Sequence, residues 1–194
     1  MAYVPNSSVA GFLGAITPIP ADQAIEDALN PTIAGITNLD GNQYVRPRLS
    51  KDPPTIPDRS VNWVAFGISD VSSDTCAATV MSGDTTALVI RNQVIEVLLS
   101  WYGPSAGDLA EVFRDGLQIS QNRALLRTHS LGFVSISSAR KVPELLKQQF
   151  VPRYDQTLIL NRRTERQFSI LSLQGFGIQL DTDPAGSTPI IIST

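Results

Sequence analysis

The feature that most constrains the fold of this chain is a long apolar run, TALVIRNQVIEVLLSWYG, at residues 86–103. In its second half every other residue is a large hydrophobe: Ile95, Val97, Leu99 and Trp101. This two-residue period is that of a β-strand, whose successive side chains point to opposite faces of a sheet. Leu98 interrupts the polar side, which indicates that both faces are covered near the end of the strand. The sequence therefore predicts a central sheet built around one long strand.

A turn and a helix follow this strand. Ser105 and Asp108 have the spacing of a capping box, in which the serine caps open backbone amides and the acid complements the helix dipole. Large hydrophobes then recur at helical spacing in a stripe of Leu109, Val112, Phe113 and Leu117. Residues 103–117 therefore predict a glycine–proline turn with a capped helix, and residues 121–128 predict a second short helix.

Further strands are predicted on both sides of this unit. In residues 61–69, Val64, Phe66 and Ile68 alternate to one face. The other predicted strands are residues 131–138, 153–163 and 166–180, and a charged turn at residues 161–165 separates the last two. Residues 142–150 predict a connection that contains at most one helical turn.

The first sixty residues are interrupted by prolines. Residues 21–30 and 31–39 predict two short helices, with Asn30 capping the second and Pro31 at its first helical position. Residues 40–60 contain four prolines and few apolar side chains. Because proline is excluded from helix interiors and central strands, this stretch predicts an extended arm, which we expect to lie on a neighbouring molecule.

Both ends of the chain are apolar. Residues 1–20 contain three prolines and no basic leader, which argues against a signal peptide. Residues 181–194 contain a Pro/Gly joint and then three isoleucines, and β-branched residues favour an extended backbone. Nothing within the tail itself would cover so short a strand. The residues predicted to add a strand to the sheet edge of a neighbouring subunit are Pro189, Ile190, Ile191 and Ile192.

Together these patterns predict an α+β (α/β) fold with a central, mainly antiparallel sheet flanked by helices. Three regions are expected along the chain. Residues 1–60 form a helical and proline-rich segment packed on or exchanged between subunits, residues 61–180 form the sheet and helix core, and residues 181–194 form the tail.

The strand–turn–helix unit lacks the features of a catalytic elbow. A hydrolase elbow requires Gly-x-Ser-x-Gly, whereas Pro104 directly precedes Ser105 here. The sole histidine, His129, lies at a predicted helix-to-strand junction, where we expect a surface or interface residue. No glycine-rich phosphate loop is present, and Gly175 and Gly177 fall within a strand pattern. The sequence predicts no catalytic residues, no cofactor and no enzymatic activity.

Metal-binding motifs are also missing from the sequence. Asp181 and Asp183 are spaced like calcium ligands, but the glycine and the distal glutamate of a calcium loop are absent, so a solvated turn is expected. Cys76 is the only cysteine and therefore has no intramolecular disulfide partner. We predict that Cys76 is a small buried hydrophobe rather than a reactive thiol.

Three arginines cluster at the predicted charged turn: Arg162, Arg163 and Arg166. At a hairpin tip they predict a solvated or inter-subunit patch, or else a contact with a nucleic acid in a channel or with an acidic partner. Both alternatives remain because guanidinium groups suit carboxylates and phosphates alike. Trp63 and Trp101 fall at core-facing strand positions, which favours packing over base stacking.

Length and composition fit a single domain with a buried core. The 194-residue chain is 42% hydrophobic and only 17% charged, and a surface with few charges is typical of a protein that covers much of it with partners. The net charge of −3 argues against a duplex-DNA binder, which needs many cations. No run approaches the ~18 apolar residues of a membrane span. We therefore expect a soluble protein made in the cytoplasm.

The order of these segments resembles a known family. A long strand ending in WYGP, the helix SAGDLAEVFRDGL, the segment NRALLR and the strand RYDQTLIL follow one another between residues 61 and 180. This arrangement is similar to that of the tail or neck terminator (tail-completion) proteins of long-tailed bacteriophages, in particular the phage neck terminator group. The motifs belong to the scaffold, and none is an active-site signature.

The resemblance implies a structural virion protein at the head–tail junction. Proteins of this family have an α/β fold and form a ring, commonly a hexamer, that ends tail-tube polymerisation. The implied partners are other copies of the chain, the tail tube and its sheath protein, and the head-completion, connector or collar proteins. The ring surrounds a channel through which genomic DNA passes without sequence-specific binding.

Two alternatives stay open at the level of the sequence. One is another virion subunit from the tail tube, the head-completion complex or the baseplate. The other is a small hydrolase or transferase that uses Ser105 or His129, which lacks any matching motif.

Overall fold

The computed structural model describes residues 14–16, 22–47, 56–83, 85–142, 144–146, 149–170, 176–178 and 190–192. The chain divides into two compact units. The larger unit contains Ile19–Ala77 and Ile90–Thr164, and the smaller unit contains Met1–Pro18, Ala78–Val89 and Glu165–Thr194. The two long strands of the chain, β4 and β9, run from one unit into the other.

Three helices and eleven strands make up the described elements. The helices are α1 (Asp22–Thr37), α2 (Ala106–Gly116) and α3 (Ala124–Thr128), the last preceded by a 3₁₀ turn at Ser120–Arg123. The strands are β1 (Val45–Pro47), β2 (Trp63–Ser73), β3 (Ala78–Met81), β4 (Thr86–Tyr102), β5 (Leu131–Ile136), β6 (Arg140–Lys141), β7 (Glu144–Leu146), β8 (Gln149–Val151), β9 (Arg153–Ser169), β10 (Phe176–Ile178) and β11 (Ile190–Ile192).

The central sheet has the strand order β1-β2-β4-β9-β5, with β6 beside β9 and β3 beside β4. β1 is parallel to β2, whereas β2 is antiparallel to β4, and both β5 and β6 are antiparallel to β9. The predicted α+β class is confirmed. The alternating residues of β4 are fully buried, and Ser100 and Tyr102 on the opposite face are buried too, so both faces of the strand's end are covered as predicted.

The core of the larger unit lies where helices α1, α2 and α3 meet one face of the sheet. The ring of Phe113 in α2 packs against Trp101, with ring centroids 5.5 Å apart. The predicted stripe on α2 is wrong at Val112, whose surface is 49% exposed. Ala106 and Ala110 take its place, because with Phe113 they follow the four- and three-residue steps that keep side chains on one helical face.

Helix α1 is continuous, so the two predicted short helices are one. Pro31 lies inside it and is exposed. Buried residues occur at helical spacing on both sides of Pro31, from Ile25 to Ile33. The free energy gained by burying them offsets the loss of the backbone hydrogen bond that proline cannot donate. Asn30 is not a helix cap. Its Nδ2 instead donates to the carbonyl oxygens of Gly41 and Val45, each at 3.1 Å, and so holds the chain that leaves the helix.

Part of the predicted arm at residues 40–60 is β1, a strand of the chain's own sheet. Val45 pairs with Val64 of β2 and is only 2% exposed. The amide of Val64 also donates to the carbonyl oxygen of Tyr44 at 2.8 Å. The prediction of an arm is therefore wrong for residues 45–47. Residues 48–55 lie outside the described part of the chain, so a contact of that stretch with a neighbouring molecule stays a prediction.

The charged turn predicted at residues 161–165 is wrong, because β9 passes through it as one uninterrupted strand. Burial alternates along this stretch, with Arg162 and Thr164 buried and Arg163 and Glu165 exposed. The buried polar groups are hydrogen-bonded, as Thr164 shows by donating from Oγ1 to the carbonyl oxygen of Arg91 at 3.2 Å. Cross-strand partners of this kind make a continuous strand possible through a highly charged sequence.

Residues 144–146 and 149–151, most of which were predicted to be part of a connection, form the strands β7 and β8. The two strands pair antiparallel, with Glu144 opposite Val151. The preceding residue Val142 donates its amide to the carbonyl oxygen of Arg153 at 2.8 Å, which ties this hairpin to the start of β9.

The smaller unit is built from strand pairings. Ala15 forms an antiparallel bridge with Phe168, and the amide of Ile16 donates to the carbonyl oxygen of Gln167 at 2.7 Å. All four residues of β3 are exposed, including Val80 at 49% and Met81 at 57%. β10 and β11 pair as an antiparallel two-stranded sheet, with Gly177 opposite Ile191.

Candidate functional site

The turn between β4 and α2 is fixed by close backbone contacts. Gly103 has a φ of +110°, and a Cβ at this position would lie 2.6 Å from the carbonyl oxygen of Val61 and 2.7 Å from Cα of Asn62. Only glycine fits this conformation without strain. Asn62 also caps the helix, because its Oδ1 accepts a hydrogen bond of 2.9 Å from the amide of Ser105. The predicted capping by the Ser105 side chain is wrong, since that side chain makes no cap hydrogen bond.

Ser105 and His129 have no nucleophile–base arrangement among the described hydrogen bonds. Ser105 is half-buried at the start of α2, whereas His129 is exposed directly after α3, at the predicted helix-to-strand junction. In the described ranges, no group of three or more His, Cys, Asp or Glu residues could hold a metal ion. Asp181 and Asp183 lie outside those ranges.

An ion-pair cluster lies where β4, β7 and β9 meet. Arg153 binds Asp155 through two hydrogen bonds, from Nε to Oδ1 at 2.7 Å and from Nη2 to Oδ2 at 2.8 Å. Its Nη1 also donates to Oε2 of Glu144 at 3.1 Å. The two carboxylates accept further bonds from β4, since Ser100 Oγ lies 2.6 Å from Asp155 and Tyr102 Oη lies 2.9 Å from Glu144. We call these five residues the Arg153 cluster.

Hydrogen bonds of the Arg153 cluster link β4, β7 and β9. The hydrogen bond from Arg153 to Asp155 raises the pKa of the guanidinium further above its usual value. Arg153 therefore stays charged across the pH range in which the protein is folded. A two-bond contact between arginine and a carboxylate also fixes the orientation of both groups. The cluster therefore holds the β7–β8 hairpin against the sheet through Glu144. Sequence reasoning missed it, although Arg153 and Asp155 stand two residues apart on one face of a predicted strand.

We predict strong energetic coupling within this cluster. The variants Arg153→Met and Asp155→Asn, measured singly and together by urea unfolding, should give a coupling free energy of about 2 kcal/mol, because the pair is bidentate and its side chains are only 19% exposed. The control is the pair Arg114 and Glu111, whose side chains are 42% and 49% exposed and whose coupling should stay below about 0.5 kcal/mol. Equal coupling in the two pairs would contradict a stabilising role for the cluster.

Two of the three arginines predicted as one patch, Arg162 and Arg163, lie on opposite faces of β9. Arg162 is only 8% exposed and donates from Nε and Nη2 to Oε1 of Gln93 at 3.1 and 2.8 Å. Gln93 in turn donates to Oγ of Ser73 at 3.0 Å, so a polar row crosses β9, β4 and β2 beyond the apolar core. Arg163 is exposed on the opposite face of β9. Arg166 belongs to the smaller unit and is half-buried. A channel or inter-subunit role for these arginines stays a prediction.

Two further residues differ from their predicted environments. Cys76 is exposed in the segment between β2 and β3, so the prediction of a buried thiol is wrong. Trp63 faces away from the helices, because it alternates with the buried Val64, and its ring stacks on Tyr102 with centroids 4.1 Å apart. Trp101 is fully buried, as predicted. Both tryptophans pack within the chain.

The C-terminal isoleucines form the predicted strand, but they do not lack a partner. Residues Ile190–Ile192 form β11, and the backbone of β11 pairs with β10 of the same chain. The partner strand β10 comes from residues 176–178, outside the tail of residues 181–194. Pro189 lies outside the described residues. Pairing of the tail with a neighbouring subunit stays a prediction.

Comparison with protein-family models decides the identity of this scaffold. Residues 23–183 match the family described as phage neck terminator protein. The chain belongs to this family. The match begins inside α1, so it includes most of the N-terminal segment that the resemblance between residues 61 and 180 left out. A comparison with curated proteins found no match. As a phage neck terminator protein, the chain is a structural component of the virion neck at the head–tail junction.

Within the described ranges, no helix is both long enough and apolar enough to cross a membrane.

Proposed function

We propose that this neck terminator protein forms a closed ring on the end of the tail tube, stops its polymerisation and joins the tail to the head connector. The observation that supports this proposal is the family match over residues 23–183, which spans all of the larger unit except its first residues. A terminator must bind the tube on one side and head components on the other. A ring of identical subunits offers the same contact to every subunit of a symmetric tube end.

Uncovered apolar side chains support self-assembly. Ile16, Val80, Met81 and Val134 are between 48% and 57% exposed, and the first three belong to the smaller unit. A ring closes through heterologous contacts, in which one surface of a subunit meets a different surface of the next. Exposed apolar residues at separate places on the chain are suited to such contacts, because their burial between subunits is favourable.

A central DNA channel fits the charge of the chain. The net charge is −3, and few proteins that hold DNA tightly are acidic, because affinity for phosphates depends on many lysines and arginines. A mildly acidic ring would let DNA pass without retaining it. The role we propose is structural and not catalytic. Ser105 and His129 do not form a described pair, and both carboxylates of the Arg153 cluster are bound to the guanidinium of Arg153.

Ring formation and tube capping can be tested with the purified protein. Mass photometry should show one dominant species at a multiple of the 21.0 kDa chain, with a six-fold multiple as the first expectation. Electron microscopy should show rings with a central opening, and added protein should sit at one end of purified tail tubes and stop their elongation. The control is the same elongation reaction without the protein. A strictly monomeric protein that leaves tube elongation unchanged would contradict the proposal.

A further inference from the structure

The strand β5 is a free edge of the central sheet. It pairs with β9 on one side, and no strand of the described part of the chain pairs with it on the other. Edge strands present unpaired backbone N–H and C=O groups, which are a template for a strand from another chain. An extended peptide segment is therefore the kind of partner that can pair with this edge.

The sequence of β5 lacks two of the devices that normally block edge pairing, charge and proline, although its register with β9 shifts between Phe133 and Ser135. Residues 130–139, SLGFVSISSA, contain no charged residue and no proline. Val134 points away from the core and is 51% exposed. The opposite edge of the sheet is different, because β1 is three residues long, carries Arg46 and ends at Pro47. Charge, proline and short length all discourage edge pairing, so β5 is the edge suited to accept a strand.

The strand β11 has the matching properties. It pairs with β10 in a two-stranded sheet, and each strand of such a sheet keeps one free edge among the described residues. A two-stranded sheet is marginally stable alone and gains from a further strand. Residues 184–194, which include β11, contain no charged residue. Among the described residues, β5 pairs only with β9, and β11 pairs only with β10.

We propose that β11 of one copy pairs with the free edge of β5 in the next copy. The inference rests on the proposed ring and identifies a contact that links its subunits. It is heterologous, because the donor strand and the acceptor edge are different parts of the chain, and a heterologous contact generates a ring when the rotation between successive copies closes. Backbone hydrogen bonds supply the pairing, and the absence of charge on both strands removes repulsion.

Cysteine cross-linking tests the pairing directly. The exposed Cys76 is first replaced by serine, which leaves a chain free of cysteine. Val134→Cys is then combined in turn with Ile190→Cys, Ile191→Cys and Ile192→Cys, because opposed residues of paired strands lie within the Cα separation that a disulfide requires. On mild oxidation at least one combination should give a ladder of covalent oligomers beyond the dimer. The control is Val112→Cys with Ile191→Cys. Val112 is about as exposed as Val134 but lies on helix α2, away from the proposed strand pairing, so this pair should give no ladder.

A second test blocks the edge without disturbing the fold. Val134→Lys places a charge on β5, and the subunit should then fail to form rings while its thermal unfolding midpoint stays unchanged. Deletion of residues 189–194 should have the same two effects. The matched control is Val112→Lys, which changes a residue of similar exposure, 49% against 51%, and should leave rings intact.

The outcomes separate this inference from the proposed function. Rings that persist in Val134→Lys and in the truncated chain, with no ladder from any cysteine pair, would overturn the β5–β11 contact and leave the ring standing. A wild-type protein that forms no ring would overturn the proposed function itself. Ladders together with ring loss in both edge variants would establish the contact.

Discussion

Replacing Gly103 by alanine is expected to lower the free energy of unfolding by about 3 kcal/mol, because a Cβ would overlap the backbone of two neighbouring residues and φ is positive. The overlapping atoms are the carbonyl oxygen of Val61 and Cα of Asn62, and neither can move as a flexible side chain would. The same shift would disturb the hydrogen bond from the Ser105 amide to Asn62, which begins α2. Urea unfolding followed by tryptophan fluorescence measures the change, since Trp63 and Trp101 both lie in the larger unit.

The control for this prediction is Gly35→Ala in the same unit. Gly35 lies inside α1, and a Cβ there would meet nothing within 4 Å. Alanine at this position should stabilise the protein by about 0.5–1 kcal/mol through its higher helix propensity. If both glycine variants change stability by less than 1 kcal/mol, the turn is not the constraint that its geometry implies.

Replacing Phe113 by alanine is expected to lower the free energy of unfolding by about 3–5 kcal/mol, the usual range for removing a buried phenylalanine. Phe113 is fully buried in α2 and packs against Trp101, which is fully buried in β4. The substitution leaves a cavity between helix and sheet that close-packed neighbours fill only in part. The measurement is the urea midpoint at an unchanged slope, which separates lost stability from a change in the surface exposed on unfolding.

The matched control is the adjacent residue of the same helix. Val112→Ala removes an apolar side chain that is 49% exposed, so its effect should stay within about 0.5 kcal/mol. The comparison also tests the helix orientation, because the hydrophobic pattern alone assigned Val112 and Phe113 to one buried stripe. A larger loss at Val112 than at Phe113 would mean that α2 presents a different face to the sheet.

Where burial follows from hydrophobic alternation, the sequence was a sufficient guide. The alternating residues of β4, the strand β2 with its buried Val64 and Phe66, and the position of α2 are all as predicted. In a strand that is buried on one face, only one register places the apolar side chains in the core, because a shift by one residue would expose all of them. The family resemblance rested in part on two of these elements, the end of β4 and helix α2.

Where polar residues are buried, the sequence misled. The stretch Asn161 to Glu165 has the composition of a solvated turn, yet β9 continues through it because Gln93 receives the guanidinium of Arg162. Pro31 has the appearance of a helix start, yet burial on both sides of it keeps α1 whole. In each case the deciding partner lies far along the chain, where no local pattern can reveal it.

The sequence by itself determined the class of the protein, its central strand, the turn before α2 and its family, because short-range periodicity and glycine chemistry are written in neighbouring residues. Only the tertiary structure decided which polar residues are buried, which side chains of β4 complete the Arg153 cluster and which sheet edge stays open in the described part of the chain. These depend on contacts between residues tens of positions apart, and their energies appear only once the chain has brought the groups together.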